Sequence, residues 1–370
     1  MNRFTGLVVA HPLLVRWDSW VHRITKKQRI AIFHDADPDG VTSATLVAKM
    51  IQQLRGKKPD LVLYREESRH AIPEKTVALL KKEKITVLFT CDMALDETPE
   101  TVRAVAEFTQ VIMLDHHKLY LDLNNAQILM IKPQMVRSPF DPGNYSTAKL
   151  AFDLASRVTD MNAHDWIASI GIIGDMGAEL WKPFMRVVCK KYCVKLQKNW
   201  FDTEIGMMTR VLSSAQSTDK KLNKKCFQLL WSAKKPRDIL RSSLVKYKKA
   251  IEQELAVCVK NFSKRAEKHG DLFWFEFQPK NQIKGPLGTI LGQKHKHNTI
   301  LIVDTRGSLV NISARRSDRK IAVNALLEQA IKGLPHAAGG GHIPAAGATV
   351  RKQDLVEFKR RILQIAQQQP

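Results

Sequence analysis

The chain has 370 residues, 44% of them hydrophobic, and 59 Lys and Arg stand against 36 Asp and Glu for a net charge of +23. That length exceeds what one small core serves and favours two domains. No apolar run approaches the roughly 18 residues of a membrane span, so a helical membrane protein is not expected, and the charge favours a polyanionic partner, most often nucleic acid.

The opening "MNRFTGLVVAHPLLVRWD" has a short apolar stretch interrupted by His11 and Pro12, and is not read as a secretory signal. From residue 29 the pattern alternates. "RIAIFHD" (29–35) predicts a short buried strand and "GVTSATLVAKMIQQLRG" (40–56) a helix closed by glycine. "LVLYRE" (61–66), "ITVLFTCD" (85–92), "QVIMLDHH" (110–117) and "AQILMIKP" (126–133) predict further strands. Helices are expected between them, at "PEKTVALLKKE" (73–83) with Pro in its first turn and "TPETVRAVAEF" (98–108) with a Thr cap. Strands alternating with helices of this length make right-handed crossovers and a parallel sheet. From Tyr145 to about Lys268 the pattern is helical, and residues 182–268 carry 22 basic and 7 acidic residues. Strand signals return at "DLFWFEF" (271–277), "TILIVD" (299–304) and "SLVNISARR" (308–316). A helix (321–333), the glycine run "AAGGGHIPAAGATV" (337–350) and a last amphipathic helix follow. The fold class is α/β, in three parts: a parallel-sheet domain (1–180), a basic helical linker or insertion (181–268) and a smaller α/β domain (269–370).

Five scattered cysteines, Cys91, Cys189, Cys193, Cys226 and Cys258, read as reduced thiols of a cytoplasmic protein. "CKKYC" (189–193) could put two thiols on one helical face, but no second pair completes a zinc site.

The chemistry lies in the acidic clusters. "HDADPDG" (34–40) carries Asp35, Asp37 and Asp39 after a strand; Asp92 follows another; Asp115, His116 and His117 follow a third; Asp175 in "IGDMG" ends a helical run. In a parallel sheet such strand ends converge on the carboxyl edge, where ligands bind. Crowded carboxylates repel one another and raise their own pKa values. A divalent cation removes the conflict, and aspartate oxygens with one or two imidazoles suit Mn²⁺ or Mg²⁺. The number of ligands points to two ions sharing a bridging carboxylate, an arrangement suited to displacement at phosphorus.

"DADPDG", "CD", "DHH" and "GD", in that order, with "SARRS" (313–317) and "GGGHIPAAGA" (339–348) in the tail, resemble the DHH phosphoesterase superfamily with its DHH-associated C-terminal domain, of RecJ-like or nano-RNase type. The resemblance implies that Asp37, Asp39, Asp92, His116 and Asp175 hold the ions, with Asp92 bridging. It implies that Asp115 orients its neighbours and that His117 contacts the scissile phosphate. Many members place a histidine where this chain has Phe33; His34 is displaced by one, and Asp35 matches an extra aspartate of RecJ-like members, so Asp35 or His34 completes the first ion's site. The tail is expected to hold substrate through Ser313, Arg315, Gly339, Gly340, Gly341 and His342, with Arg315 also stabilising phosphoryl charge. The family spans exonucleases of single-stranded nucleic acid, nano-RNases that also dephosphorylate 3′-phosphoadenosine 5′-phosphate, and cyclic-dinucleotide phosphodiesterases. Some relatives are scaffolds in replication assemblies. The basic stretch, with Trp200, Trp231 and Tyr247, favours a Mn²⁺-dependent single-strand exonuclease. Short oligonucleotides and replication or repair proteins stay open as partners, and no membrane is expected.

Overall fold

The alternation of the first half becomes five parallel strands in the computed structural model, which describes residues 7, 11–66, 70–136 and 142–367. They are β1 (Ile30–His34), β2 (Leu61–Tyr64), β3 (Val87–Cys91), β4 (Gln110–Leu114) and β5 (Ile128–Ile131), ordered β2-β1-β3-β4-β5. Every pairing is parallel. The chain runs outward from β1 to β2 and then returns to the other side of β1 as β3. The strand order therefore reverses between β1 and β3, the place where doubly wound sheets bind ligands.

Both faces of this sheet are covered, which is why its strands read as continuous apolar runs. Alternate residues Ile30, Ile32, Val87, Phe89, Ile112 and Leu114 enter one core, and Ala31, Phe33, Leu88, Val111 and Met113 enter the other. The first core is closed by α1 (Pro12–His22) and α2 (Pro38–Arg55), the second by α3 (Glu74–Lys82) and α4 (Pro99–Ala106). The first also takes in α5 (Thr147–Ala155), α6 (Asp165–Gly174), α7 (Lys182–Lys191), α8 (Glu204–Thr218) and α9 (Asn223–Ser232). Helix α1 escapes the sequence reading because His11 and Pro12 look like an interruption. They are its start: His11 Nδ1 accepts from the Leu13 N–H at 3.3 Å, and Pro12 sits where its missing N–H costs nothing.

The chain divides into two units, Met1–Lys248 and Lys249–Pro370, within α10 (Val245–Arg265). The basic stretch is thus shared: α7, α8 and α9 bury Met185, Met208, Leu212, Cys226 and Leu230 in the first unit's core, while Ile251 and Phe262 of α10 pack in the second unit. The second unit's sheet is ordered β10-β11-β9-β8-β7-β6. Its strands are β6 (Glu267–His269), β7 (Leu272–Phe277), β8 (Thr299–Asp304), β9 (Leu309–Arg315), β10 (Ala338–His342) and β11 (Ala345–Arg351). Helices α11 (Lys284–Lys294), α12 (Val323–Ile331) and α13 (Leu355–Gln367) complete it. Among the described residues no helix is long and apolar enough to cross a membrane.

Helix α2 packs closely on α5 and α6 because small residues face the contact. At Gly171 of α6 an added Cβ would lie 2.4 Å from Ala148 Cβ, 2.5 Å from Thr42 Oγ1 and 2.6 Å from Asp39 Oδ1. Gly171→Ala is therefore expected to destabilise the protein by about 1–3 kcal/mol, as overpacking does, read as a fall in the urea midpoint at constant slope.

Candidate metal centre

Three neighbouring strand ends deliver the acidic clusters. β1 leads into Asp35–Asp39, β3 into Asp92 and β4 into Asp115–His117, while α6 ends at Asp175. Asp37 is the N-cap of α2 and accepts from the Gly40 N–H at 2.8 Å. Gly40 is required there, since a Cβ would meet the Asp35 carbonyl oxygen at 2.4 Å. Asp39 lies in the first turn of α2 and receives the N-terminus of α5: its two oxygens accept from the Thr147 N–H at 2.7 Å and the Ala148 N–H at 2.9 Å. Asp92 turns the chain with φ 64°, a conformation Asp tolerates better than most residues, and accepts from Thr147 Oγ1 at 3.0 Å.

These placements bring ligand atoms within 4.8 Å of one another in three groups: Asp92, His116 and His117; Asp39, His116 and Asp175; Asp35, Asp37 and Asp92. Asp92 and His116 each belong to two groups. His116 Nε2 is 3.5 Å from Asp92 Oδ1, and its Nδ1 is 3.4 Å from Asp175 Oδ2. Both His116 Nδ1 and Asp175 Oδ2 are buried without a hydrogen-bond partner. A cation between them would satisfy both, and oxygen donors with imidazole suit Mn²⁺ or Mg²⁺.

The electrostatics show the same crowding. Burial and the Asp37 charge push Asp39 up to about 7, against the pull of its two backbone hydrogen bonds. Burial, Asp39 and Asp37 push Asp175 to about 9, and burial with four neighbouring carboxylates raises Asp92 well above its ordinary value. Asp37 keeps an open face to solvent, yet the protein packed around it and the Asp35 charge raise it to about 6. Burial, then the charge of His117, holds His116 near 4, so it is a neutral imidazole at pH 7.

Two expected residues have other partners. Asp35 is gripped by Arg65, Nε to Oδ1 at 2.8 Å and Nη2 to Oδ2 at 2.7 Å. His34 is buried, places Nδ1 2.6 Å from the Asp35 carbonyl oxygen and tilts against Tyr64; it is in none of the three groups. Asp115 is fully buried, with Oδ1 2.7 Å from His117 Nδ1 and Oδ2 2.9 Å from Lys132 Nζ. Burial alone would raise Asp115, but His117 and Lys132 hold it far below the carboxylate range. Burial lowers His117, and the Asp115 hydrogen bond outweighs it and raises the imidazole.

Sequence reading passed over Lys132, Asp96, Arg65 and His70. Lys132, with no side-chain exposure, also bonds Asp96 Oδ1 at 2.7 Å and the carbonyl oxygens of His117 at 3.3 Å and Lys118 at 2.8 Å. Its signal was a lone lysine at the end of the apolar run "AQILMIK". His70 accepts from the Ala94 N–H at 3.2 Å and sets its ring 5.5 Å from that of His117.

In the second unit the register gathers the expected substrate residues. Arg315 pairs with Ala345, which pairs with His342; Ser313 pairs with Gly347, which pairs with Gly340. Ser313 and Arg315, two apart on β9, share a sheet face, and Arg315 Nη1 reaches Ser313 Oγ at 3.0 Å. α11 covers this face through Gly288 and Gly292, where a Cβ would lie 3.4 Å and 3.1 Å from Arg315 carbons. Lys284, one turn before Gly288, bonds the Ile312 carbonyl oxygen at 3.2 Å and was also missed. Burial lowers both Arg315 and Lys284. The glycine run is a hairpin, β10 against β11, rather than a loop. Gly341 at φ 138° requires glycine, and Gly339 pairs with Ala348. The His342 side chain lies outside the described residues.

Residues 29–174 match the DHH family, N-terminal domain, and residues 277–368 the DHHA1 domain. No curated protein matches the chain. Exonuclease RecJ bound to manganese is similar with TM-score 0.72 at 15% identity, over 98% of this chain and 97% of that one. RecJ in complex with Mn²⁺ from Thermus thermophilus gives 0.76 at 15% identity, over 100% of this chain and 56% of that one. A solved DHH domain, described as a member of a family of ribosomal proteins, gives 0.73 at 14% identity, over 96% and 90%. At these identities the likeness is one of fold: the chain has a RecJ-like DHH architecture.

Two outcomes follow from the charges. With Asp39 near 7 and Asp175 near 9, the folded metal-free chain binds protons between about pH 9 and 7 that the unfolded chain does not. Its stability should therefore rise as pH falls through that window. Below it His116 and His34, both held near 4, oppose the gain as the unfolded chain protonates its histidines. Thermal melts in a chelator check the slope, which saturating Mn²⁺ should flatten while raising Tm. Separately, Lys132→Met removes the one cation that the buried Asp96 and Asp115 share, and is expected to cost about 3–5 kcal/mol in denaturant unfolding.

Proposed function

We propose, from a chain that carries a DHH N-terminal domain and a DHHA1 domain, that the protein is a Mn²⁺-dependent phosphodiesterase that shortens single-stranded nucleic acid from an end. The observation that carries the reading is the set of three ligand groups linked through Asp92 and His116 at the reversal point of the sheet. In this reading Asp37, Asp39, Asp92, His116 and Asp175 hold two ions, and Asp35, steered by Arg65, borders them. Bound there, divalent ions supply Lewis-acid activation of water and of a phosphoryl oxygen.

The rest belongs to the chain itself. Asp115 favours the protonated form of His117 and occupies Nδ1, which directs the remaining N–H at a phosphoryl oxygen. Lys132 holds Asp115 ionised and fixes the backbone of His117. In the second unit Arg315, which has no carboxylate partner among the described residues, offers a fork to a substrate phosphate beside Ser313 and Lys284. Nucleic acid as the substrate class is supported by the basic stretch and by where it reaches: Lys220 bonds the Glu66 carbonyl oxygen at 2.7 Å, next to Arg65 and Asp35. A cytoplasmic location is part of the same reading, supported by five cysteines that are all free.

One observation favours a nano-RNase-type variant of this activity. Trp200, Trp231 and Tyr247 are half-buried against the first unit's core and do not form an exposed stacking track.

Digestion of 5′- and 3′-labelled DNA and RNA, from dimers to about 30-mers, a range that outruns one site of about 4–16 nucleotides, tests the reading. Progressive shortening of long strands supports it; cleavage confined to the shortest oligomers selects the nano-RNase variant; no Mn²⁺-dependent cleavage at any length overturns both. His116→Ala should lower the rate by more than the roughly 10–100-fold lost when a residue behind a metal ligand is removed, with an unchanged circular dichroism spectrum.

A further inference from the structure

Resting on the phosphodiesterase reading, we propose that Tyr120 is a stacking platform for the base of the nucleotide at the scissile phosphate, with Lys118 beside it for the adjoining backbone. A protein that handles single strands gains affinity by stacking bases on aromatic rings along a positive surface. Among its described Phe, Trp and Tyr residues the chain offers one exposed ring: Tyr120, 49% exposed, while the others are buried or half-buried. It lies three residues after His117, within about 11 Å of chain reach.

The segment that carries it is fixed from beneath. Asp96 Oδ2 accepts from the Tyr120 N–H at 2.8 Å and from the Leu121 N–H at 3.4 Å. Lys132 Nζ and Gln134 Nε2 donate to the carbonyl oxygens of His117 and Lys118. Leu119 packs into the core shared with β4. One buried cation thus ties the Tyr120 backbone, through Asp96, to the carboxylate that orients His117. With Leu119 packed inward, Lys118 and Tyr120 stay exposed, the ammonium 5.3 Å from the ring centroid. A ring held in water on so constrained a backbone loses little entropy when a base settles on it. All the anchoring bonds use backbone atoms of residues 117–121, so replacing the Tyr120 ring leaves them intact.

The experiment compares wild type, Tyr120→Ala and Tyr120→Phe with Mn²⁺ on two single-stranded oligonucleotides. One is ordinary, and one has abasic residues at the end that is cut. Tyr120→Ala should raise KM on the ordinary strand about 5- to 150-fold, the range of one base–aromatic stack, with kcat within about twofold. It should leave the abasic strand unaffected, and Tyr120→Phe should behave as wild type. Equal losses on both strands, or no loss on either, overturn the proposal while leaving the phosphodiesterase reading in place. Wild-type protein inert toward the ordinary strand overturns that reading and the proposal with it. Unchanged melting temperatures for both variants separate the result from a folding defect.

Discussion

Like charges held at close quarters are the constraint around which the first unit is built. Five aspartates, Asp35, Asp37, Asp39, Asp92 and Asp175, contribute to ligand groups whose atoms lie within 4.8 Å of one another. Each is held by something that does not move easily: a helix cap for Asp37, the N-terminus of α5 for Asp39, a left-handed turn for Asp92, the end of α6 for Asp175. The bound arginine on Asp35 offsets the charge only in part, and the neutral His116 offsets none of it. The fold therefore carries an electrostatic cost in the metal-free state, one that a bound cation would relieve. The close packing of α2 on α5 and α6, with Gly171 at its tightest point, keeps the carboxylates from drifting apart.

The sheet and most helices of the first unit were legible because apolar runs four to six residues long, separated by capped amphipathic segments, have few other solutions. The convergence of the acidic clusters was legible for a related reason: they sit mostly at strand ends, where position follows from topology. The misreadings have physical causes too. His11–Pro12 looked like a break because proline stops a helix from within and starts one from its first turn. The glycine run gave no strand signal because nothing in its composition distinguishes a loop from an edge strand lying on small residues. His34 looked like a displaced ligand, but a one-residue shift along a strand turns a side chain to the opposite face, and its ring meets Tyr64.

What the sequence hid most completely were the charged residues inside. Lys132, Asp96, Lys149 and Asp153 are all buried, and a lysine in sequence is by default a surface residue. Lys149 pairs with Asp153 at 2.5 Å, one turn away on α5, and sits 4.1 Å from the Trp181 ring centroid. Spacing on a helix could suggest the Lys149–Asp153 pair, but only tertiary structure shows that it is buried and that Lys132 is the partner of Asp96 and Asp115.

The double grip of Asp39 on α5 has a consequence of its own. The amide protons of Thr147 and Ala148 are donated to a carboxylate that belongs to one of the groups able to hold a metal ion. Any charge placed on that carboxylate alters the strength of both bonds, so the first turn of α5 is in electrical contact with it. Those two N–H groups form a built-in spectroscopic reporter: their chemical shifts and exchange rates with solvent would register an added ion, even one such as Mg²⁺ with no colour and no unpaired electron.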